Sequence, residues 1–138
     1  MKPIRTIFCA AALLAATQAG AADLTIHIDD VKAAGGHLMV AVYNSAANFR
    51  KTAAGYASTA AEKTGSTVVI KDLPAGEYAF AVYHDANSNG KLDTNLLGIP
   101  TEDYGFSNNA LGKMGPPSFD QARFALPAAG AAMRVSLR

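Results

Sequence analysis

The chain has 138 residues, half of them hydrophobic and 17% charged, with a formal net charge of +1. That length builds one domain with a sizeable core. The near balance of charge excludes the footprint of a nucleic-acid or anionic-membrane binder, and a single cysteine excludes a disulfide scaffold.

Met1 to Arg5 is a short basic start, Thr6 to Ala16 an apolar run, and Ala19-Gly20-Ala21 a small-residue cleavage pattern. This reads as a secretory signal peptide over residues 1–22, too short to span a bilayer. Cleavage after Ala21 or Ala22 leaves one mature domain, residues 23–138, in the bacterial periplasm or secreted. The alternative is a buried N-terminal helix. Cys9 lies inside the leader, so the mature chain carries no disulfide, thiolate nucleophile or lipid-bearing cysteine. Lys2 and Arg5 leave with it, and ten basic residues then face eleven acidic ones.

Leu24, Ile26 and Ile28 alternate with Thr25, His27 and Asp29, the period of a half-buried strand. After the Gly35-Gly36 turn, Leu38, Val40 and Val42 share one face of a second strand, and the two are expected to form a hairpin. Asn44 to Ala54 reads as a loop, with room for one helical turn capped by Asn44 or Ser45. Tyr56 to Lys63 fits an edge strand, although its alanines also suit a helix. Thr67 to Asp72 is a β-branched strand with Val68 and Ile70 on one face.

Leu73-Pro74-Ala75-Gly76-Glu77-Tyr78 pairs a turn with a strand-opening tyrosine, like the tyrosine corner of immunoglobulin-like sandwiches. Phe80, Val82 and, by parity, His84 continue the face of Tyr78. Asp85 to Phe119 then shows neither strand nor helix period. Its content of Leu96, Leu97, Ile99, Tyr104, Phe106, Leu111 and Phe119 predicts an ordered, packed loop. Ala122, Phe124 and Leu126 read as one strand, and Met133, Val135 and Leu137 as the last. Short strands and frequent turns predict an all-β, antiparallel sandwich of about seven strands with one long ordered loop.

The sharpest motif is His84-Asp85-Ala86-Asn87-Ser88-Asn89-Gly90-Lys91-Leu92-Asp93. Oxygen-bearing side chains at alternate positions, followed by a glycine, match the rhythm of a calcium loop. Asp85, Asn87, Asn89 and Asp93 supply side-chain oxygens, and Lys91 a carbonyl. Position twelve is Leu96, so the missing carboxylate is expected from Glu102, returned by the Gly98-Ile99-Pro100 turn, with Asp103 as second choice. Three clustered carboxylates would repel without a cation, which motivates Ca²⁺. The competing reading is that these residues are turn formers. Zinc is disfavoured, because His27, His37 and His84 are widely spaced and the mature chain lacks cysteine.

The run HDANSNGKLDTNLLGIPTEDYGFSNNALGKMGPPSFDQARF resembles the signature of a family of small exported bacterial proteins, catalogued as a domain of unknown function. In outline that signature is HDxNxNGKxDxNxxGxPxExxGFSNN, then GPPxF and an alanine-phenylalanine strand. It covers Gly36 to Leu137 in order. The resemblance implies an immunoglobulin- or transthyretin-like sandwich outside the cytoplasm, and it implies no established activity.

The expected function is therefore an exported, non-enzymatic binding module with a calcium-stabilised loop. Its ligand would be a protein or a carbohydrate, with no nucleic acid and no membrane span. One alternative is a hydrolase-like enzyme using His84 with Asp85 or Glu102, beside Ser107. In the bland reading His84 pins the loop through a backbone carbonyl. A second alternative is a structural, metal-free module. Phe106 and Phe119 are expected to pack the loop down. Tyr104 and Met114-Gly115-Pro116-Pro117 are candidates for a recognition surface.

Overall fold

The computed structural model describes residues 20–138, so residues 1–19 of the leader expected over 1–22 lie outside the described residues. Eight strands form two facing sheets. In chain order they are β1 (Ala21–Asp29), β2 (His37–Tyr43), β3 (Gly55–Ala60), β4 (Ser66–Pro74) and β5 (Gly76–Asp85). Then follow β6 (Tyr104–Phe106), a short helix α1 (Phe119–Ala122), β7 (Phe124–Leu126) and β8 (Ala131–Ser136). One sheet has the order β4-β1-β8. The other runs β3-β2-β5, with β6 and β7 placed end to end along the far edge of β5.

The alternation in each strand decides which face is dry. Leu24, Ile26 and Ile28 of β1 and Val68 and Ile70 of β4 are buried against Leu38, Val40 and Val42 of β2 and Phe80 and Val82 of β5. Each such side chain contributes about 1.5–3 kcal/mol on leaving water. Tyr78 continues the inward face of β5, and its hydroxyl donates to the Pro74 carbonyl at 2.6 Å. This is the tyrosine corner that the LPAGEY turn predicts.

The two antiparallel-rich sheets meet the expected β-sandwich, and three local expectations are corrected. β1 and β2 are not a hairpin. β1 pairs with β4 and β8, whereas β2 pairs with β3 and β5. Alternation reports that a strand is half buried and says nothing of its neighbour. These two strands bury opposite walls of one core, and Gly35-Gly36 carries the chain between sheets. Gly36 has φ +67, and a Cβ there would lie 2.2 Å from the Asp85 carbonyl oxygen, so only glycine fits this crossing.

The β1–β8 pair is parallel, from Leu24 opposite Ala131 to Asp29 opposite Ser136, within an otherwise antiparallel sandwich. Ala122 is not in the strand of Phe124 and Leu126. It ends α1, whose capping box joins Ser118 and Gln121. Finally, residues 85–119 contain β6 and a 3-10 turn, Ser107–Asn109. Three residues of strand are too few to show a period.

The segment Asn44 to Ala54 is a turn without a helix, in which Ser45 Oγ accepts the Asn48 N–H at 3.2 Å. It lays Phe49 on the outer face of the β5 sheet. There a second cluster forms from Phe49, Ala79, Phe106 and Ala122, flanked by Tyr43, Ala81, Tyr104, Ala110 and Phe119. The packing expected of Phe106 and Phe119 is met.

Candidate functional site

Asp85 closes β5 and begins the loop. Its carboxylate is 2% exposed. One oxygen accepts the Asn89 N–H at 3.0 Å and the other the Gly90 N–H at 2.8 Å. Gly90 has φ +78, which this tight return requires. Asn87 Oδ1 accepts the Asn89 N–H at 3.3 Å, and Asn89 Oδ1 accepts the Lys91 N–H at 3.1 Å. These are two successive Asx turns.

The Asn87 and Asn89 amides both donate to the Asp93 carboxylate, at 2.6 and 2.8 Å. Glu102 does return to this centre, accepting the Ala86 N–H at 3.2 Å and the Asp93 N–H at 3.0 Å. Asp103 turns the other way and pairs with Lys32 at 3.0 Å.

Asp85, Asn87, Asn89, Asp93 and Glu102 thus meet in one hydrogen-bonded knot, and Lys91 joins it through its backbone N–H. The Asp85 and Glu102 carboxyl oxygens accept from backbone N–H groups, and those of Asp93 from side-chain amides. The Asn89 and Asn87 hydrogen bonds hold the Asp93 carboxyl below its ordinary value. Among the described residues, no group of three or more His, Cys, Asp or Glu is arranged to hold a metal ion.

The residues of the enzymatic alternative are engaged elsewhere. His84 faces the core, and its Nε2 lies 2.7 Å from the Gly35 carbonyl oxygen, pinning the Gly35-Gly36 crossing. Ser107 is fully buried. Its hydroxyl accepts the Phe80 N–H at 3.0 Å and donates to the Ala122 carbonyl, tying β5 to α1.

The next two residues complete this joint. Asn108 and Asn109 have φ +62 and +49, a left-handed pair that asparagine tolerates. Asn108 Nδ2 donates to the Arg123 carbonyl at 2.8 Å, and Asn109 Oδ1 accepts the Ser136 N–H at 2.9 Å. Backbone bonds between Tyr104 and Arg138, at 3.0 and 3.1 Å, close the two sheets together on this side. The GFSNN motif is therefore a corner brace.

The packing expected of the loop's aliphatic residues does not occur. Leu96, Leu97, Ile99 and Leu111 are exposed, as is Met114 of the candidate recognition surface. The knot already satisfies the loop's polar groups, so the loop keeps its shape without sinking them. Leu97, Ile99 and Met114 instead stand around a cleft of about 790 Å³ on the outer face of the β5 sheet.

Register makes this hollow. Ala41 of β2 pairs with Ala81 of β5, and Phe106 of β6 pairs with Ala81 from the other side. Tyr43, Tyr83, Tyr104 and Phe106 stand around that low floor as walls. Tyr83 is tied to the loop, its hydroxyl donating to the Gly90 carbonyl at 3.1 Å. Burial raises the Tyr43 and Tyr83 phenols above their ordinary value. Sequence reasoning singled out Tyr104 and Met114 but missed Tyr43, Arg50 and Ala81. The small-large alternation Ala79, Ala81, Tyr83 was the available signal.

A family model described as an uncharacterized protein conserved in bacteria (DUF2141) matches residues 26–134. No curated protein and no solved structure matches the chain.

Proposed function

The chain belongs to this bacterial family, and we propose that it is an exported, non-enzymatic binding module whose working surface is the cleft on the outer face of the β5 sheet. One observation carries the reading. The loop from Asp85 to Asp103 is braced by its own hydrogen bonds, yet it holds Leu97 and Ile99 out in water beside an apolar hollow that the exposed Met114 also lines. Surface apolar groups gathered on a rigid rim mark a recognition site. The engagement of His84 with Gly35 and of Ser107 with Phe80 and Ala122 supports binding over hydrolysis.

The test is binding of an uncharged environment-sensitive dye, N-phenylnaphthylamine. Fluorescence should rise with the purified protein. Replacing Ala81 by Phe should fill the floor and abolish the rise, with the melting temperature as the check on folding. A dye signal unchanged by that replacement would remove the cleft from the reading.

Calcium is proposed as a brace of the same loop. The support is the meeting of the Asp85, Asp93 and Glu102 carboxyl groups in one knot. An ion there would share the carboxylates with their present donors. At a hundredfold excess over Kd, binding raises stability by about 2.7 kcal/mol. The melting temperature should rise with Ca²⁺ and fall with chelator, and Asp93→Ala should erase the difference. An identical melting temperature in both conditions would leave the loop metal-free.

Export rests on the leader pattern. Cleavage after Ala21 would keep Ala22, which is buried and pairs with Leu73, whereas cleavage after Ala22 would remove it. N-terminal sequencing of the protein recovered from the periplasm distinguishes the two.

A further inference from the structure

We infer that the outer-face cleft takes a single-chain anionic amphiphile, a long-chain carboxylate, with its acid group on Arg50 and its hydrocarbon beneath Leu97, Ile99 and Met114. This rests on the cleft being the binding surface and names its ligand class.

The lining is almost wholly apolar or aromatic, and Arg50 is its one charged member. Three ion pairs form among the described residues, Lys32–Asp103, Arg123–Asp120 and Arg134–Asp29, and Arg50 is in none of them. A guanidinium beside an apolar hollow with no acidic lining residue complements a carboxylate attached to a hydrocarbon.

The charges around the cleft also give the ligand a direction. Tyr43 stands opposite Ala79 and Tyr104 opposite Tyr83, four residues apart along β5, and Arg50 acts on the phenol at the Tyr43 end. Asp85 and Glu102 act on the phenol of Tyr83, so the negative charge lies beyond the other wall. A carboxylate is drawn to the Tyr43 end and repelled from the Tyr83 end. The chain then runs over Ala81 and Phe106 toward Leu92, Leu97 and Ile99.

The volume of about 790 Å³ falls among ligand pockets, which span roughly 300–1,000 Å³. A second hollow of about 550 Å³, at the β3 and β4 edges, is lined by both Lys71 and Asp72 and lacks this apolar rim. Its two opposite charges favour no ligand sign.

The test is displacement of N-phenylnaphthylamine from the purified protein by laurate, dodecanol and dodecyltrimethylammonium, all below micelle-forming concentrations. Laurate should displace the dye best, and the ammonium amphiphile worst. Arg50→Gln should weaken laurate at least tenfold while moving dodecanol less than twofold, and Arg50→Lys should recover part of the loss. Equal displacement by laurate and the ammonium amphiphile, unchanged in Arg50→Gln, would overturn the ligand class while the binding surface stood. Dimerisation that buries Met114 and blocks dye and laurate alike, seen by sedimentation, would overturn it in favour of a second copy. Absence of any dye binding to the cleft would defeat the binding reading itself.

Discussion

Two regions of one segment, which share a single run of asparagines, glycines and aromatics, do opposite things. The corner brace, from Tyr104 to Asn109 with α1, ties its polar groups to neighbouring elements and turns its phenylalanines into a core. Ser107 is buried between Phe80 and Ala122, and Phe106 packs edge-on against Phe49, with ring centroids 6.1 Å apart. The loop from Asp85 to Asp103 ties its polar groups to one another and leaves its aliphatics outside. Composition does not separate the two regions. What separates them is whether the satisfied groups lie between secondary-structure elements or within one loop.

The widest gap between the regions should appear on truncation. Phe106→Ala should destabilise the fold by about 3–5 kcal/mol, the usual cost of removing a buried ring. Leu97→Ala should stay within about 0.5 kcal/mol, as at an exposed site. Urea unfolding measures both. A large loss at Leu97 would mean that the loop's aliphatics are structural, and the contrast would collapse.

A smaller difference separates polar positions. Ser107→Ala leaves the buried Phe80 N–H without its side-chain acceptor and should cost about 1–3 kcal/mol of global stability. Asp85→Ala frees the Asn89 and Gly90 N–H groups to water. It should act locally, speeding amide exchange in 86–93 while the β5 core exchanges at its former rate. Uniform acceleration across the domain would show that the loop and the brace are one cooperative unit.

The smallest effect is on pH. The folded Asp93 carboxyl titrates below its ordinary 3.8, chiefly through Asn89 and then Asn87. A lowered carboxylate contributes stability that is complete above the ordinary value and lost as pH falls through the folded one. The side-chain amide signals of Asn87 and Asn89 should move with a midpoint below 3.8, and Asn89→Ala should bring the Asp93 midpoint back toward it. A midpoint already at the ordinary value would dissolve the knot at its solvent side.

Much of this was legible from the chain alone. Leu24, Ile26 and Ile28 alternate because a strand on a two-layer core has one dry face, and that can be read without knowing the partner strand. Tyr78 follows Pro74 and Gly76 at the spacing its hydrogen bond needs. The turn from Asp85 through Asn87, Asn89 and Gly90 to Asp93 can be read in the chain, because Asx turns and glycine returns act over a few residues.

Partners distant in sequence were not legible. Nothing in β1 says that it runs parallel to β8, or that β2 lies in the opposite sheet. Nothing in Ala81 says that Ala41 and Phe106 will flank it and leave a hollow. Local geometry is set by φ, ψ and near-neighbour hydrogen bonds, so the chain itself determined its strands, turns and knot. The pairing of strands and the cleft are settled by which surfaces exclude water together, and that choice exists only once the whole sandwich has closed.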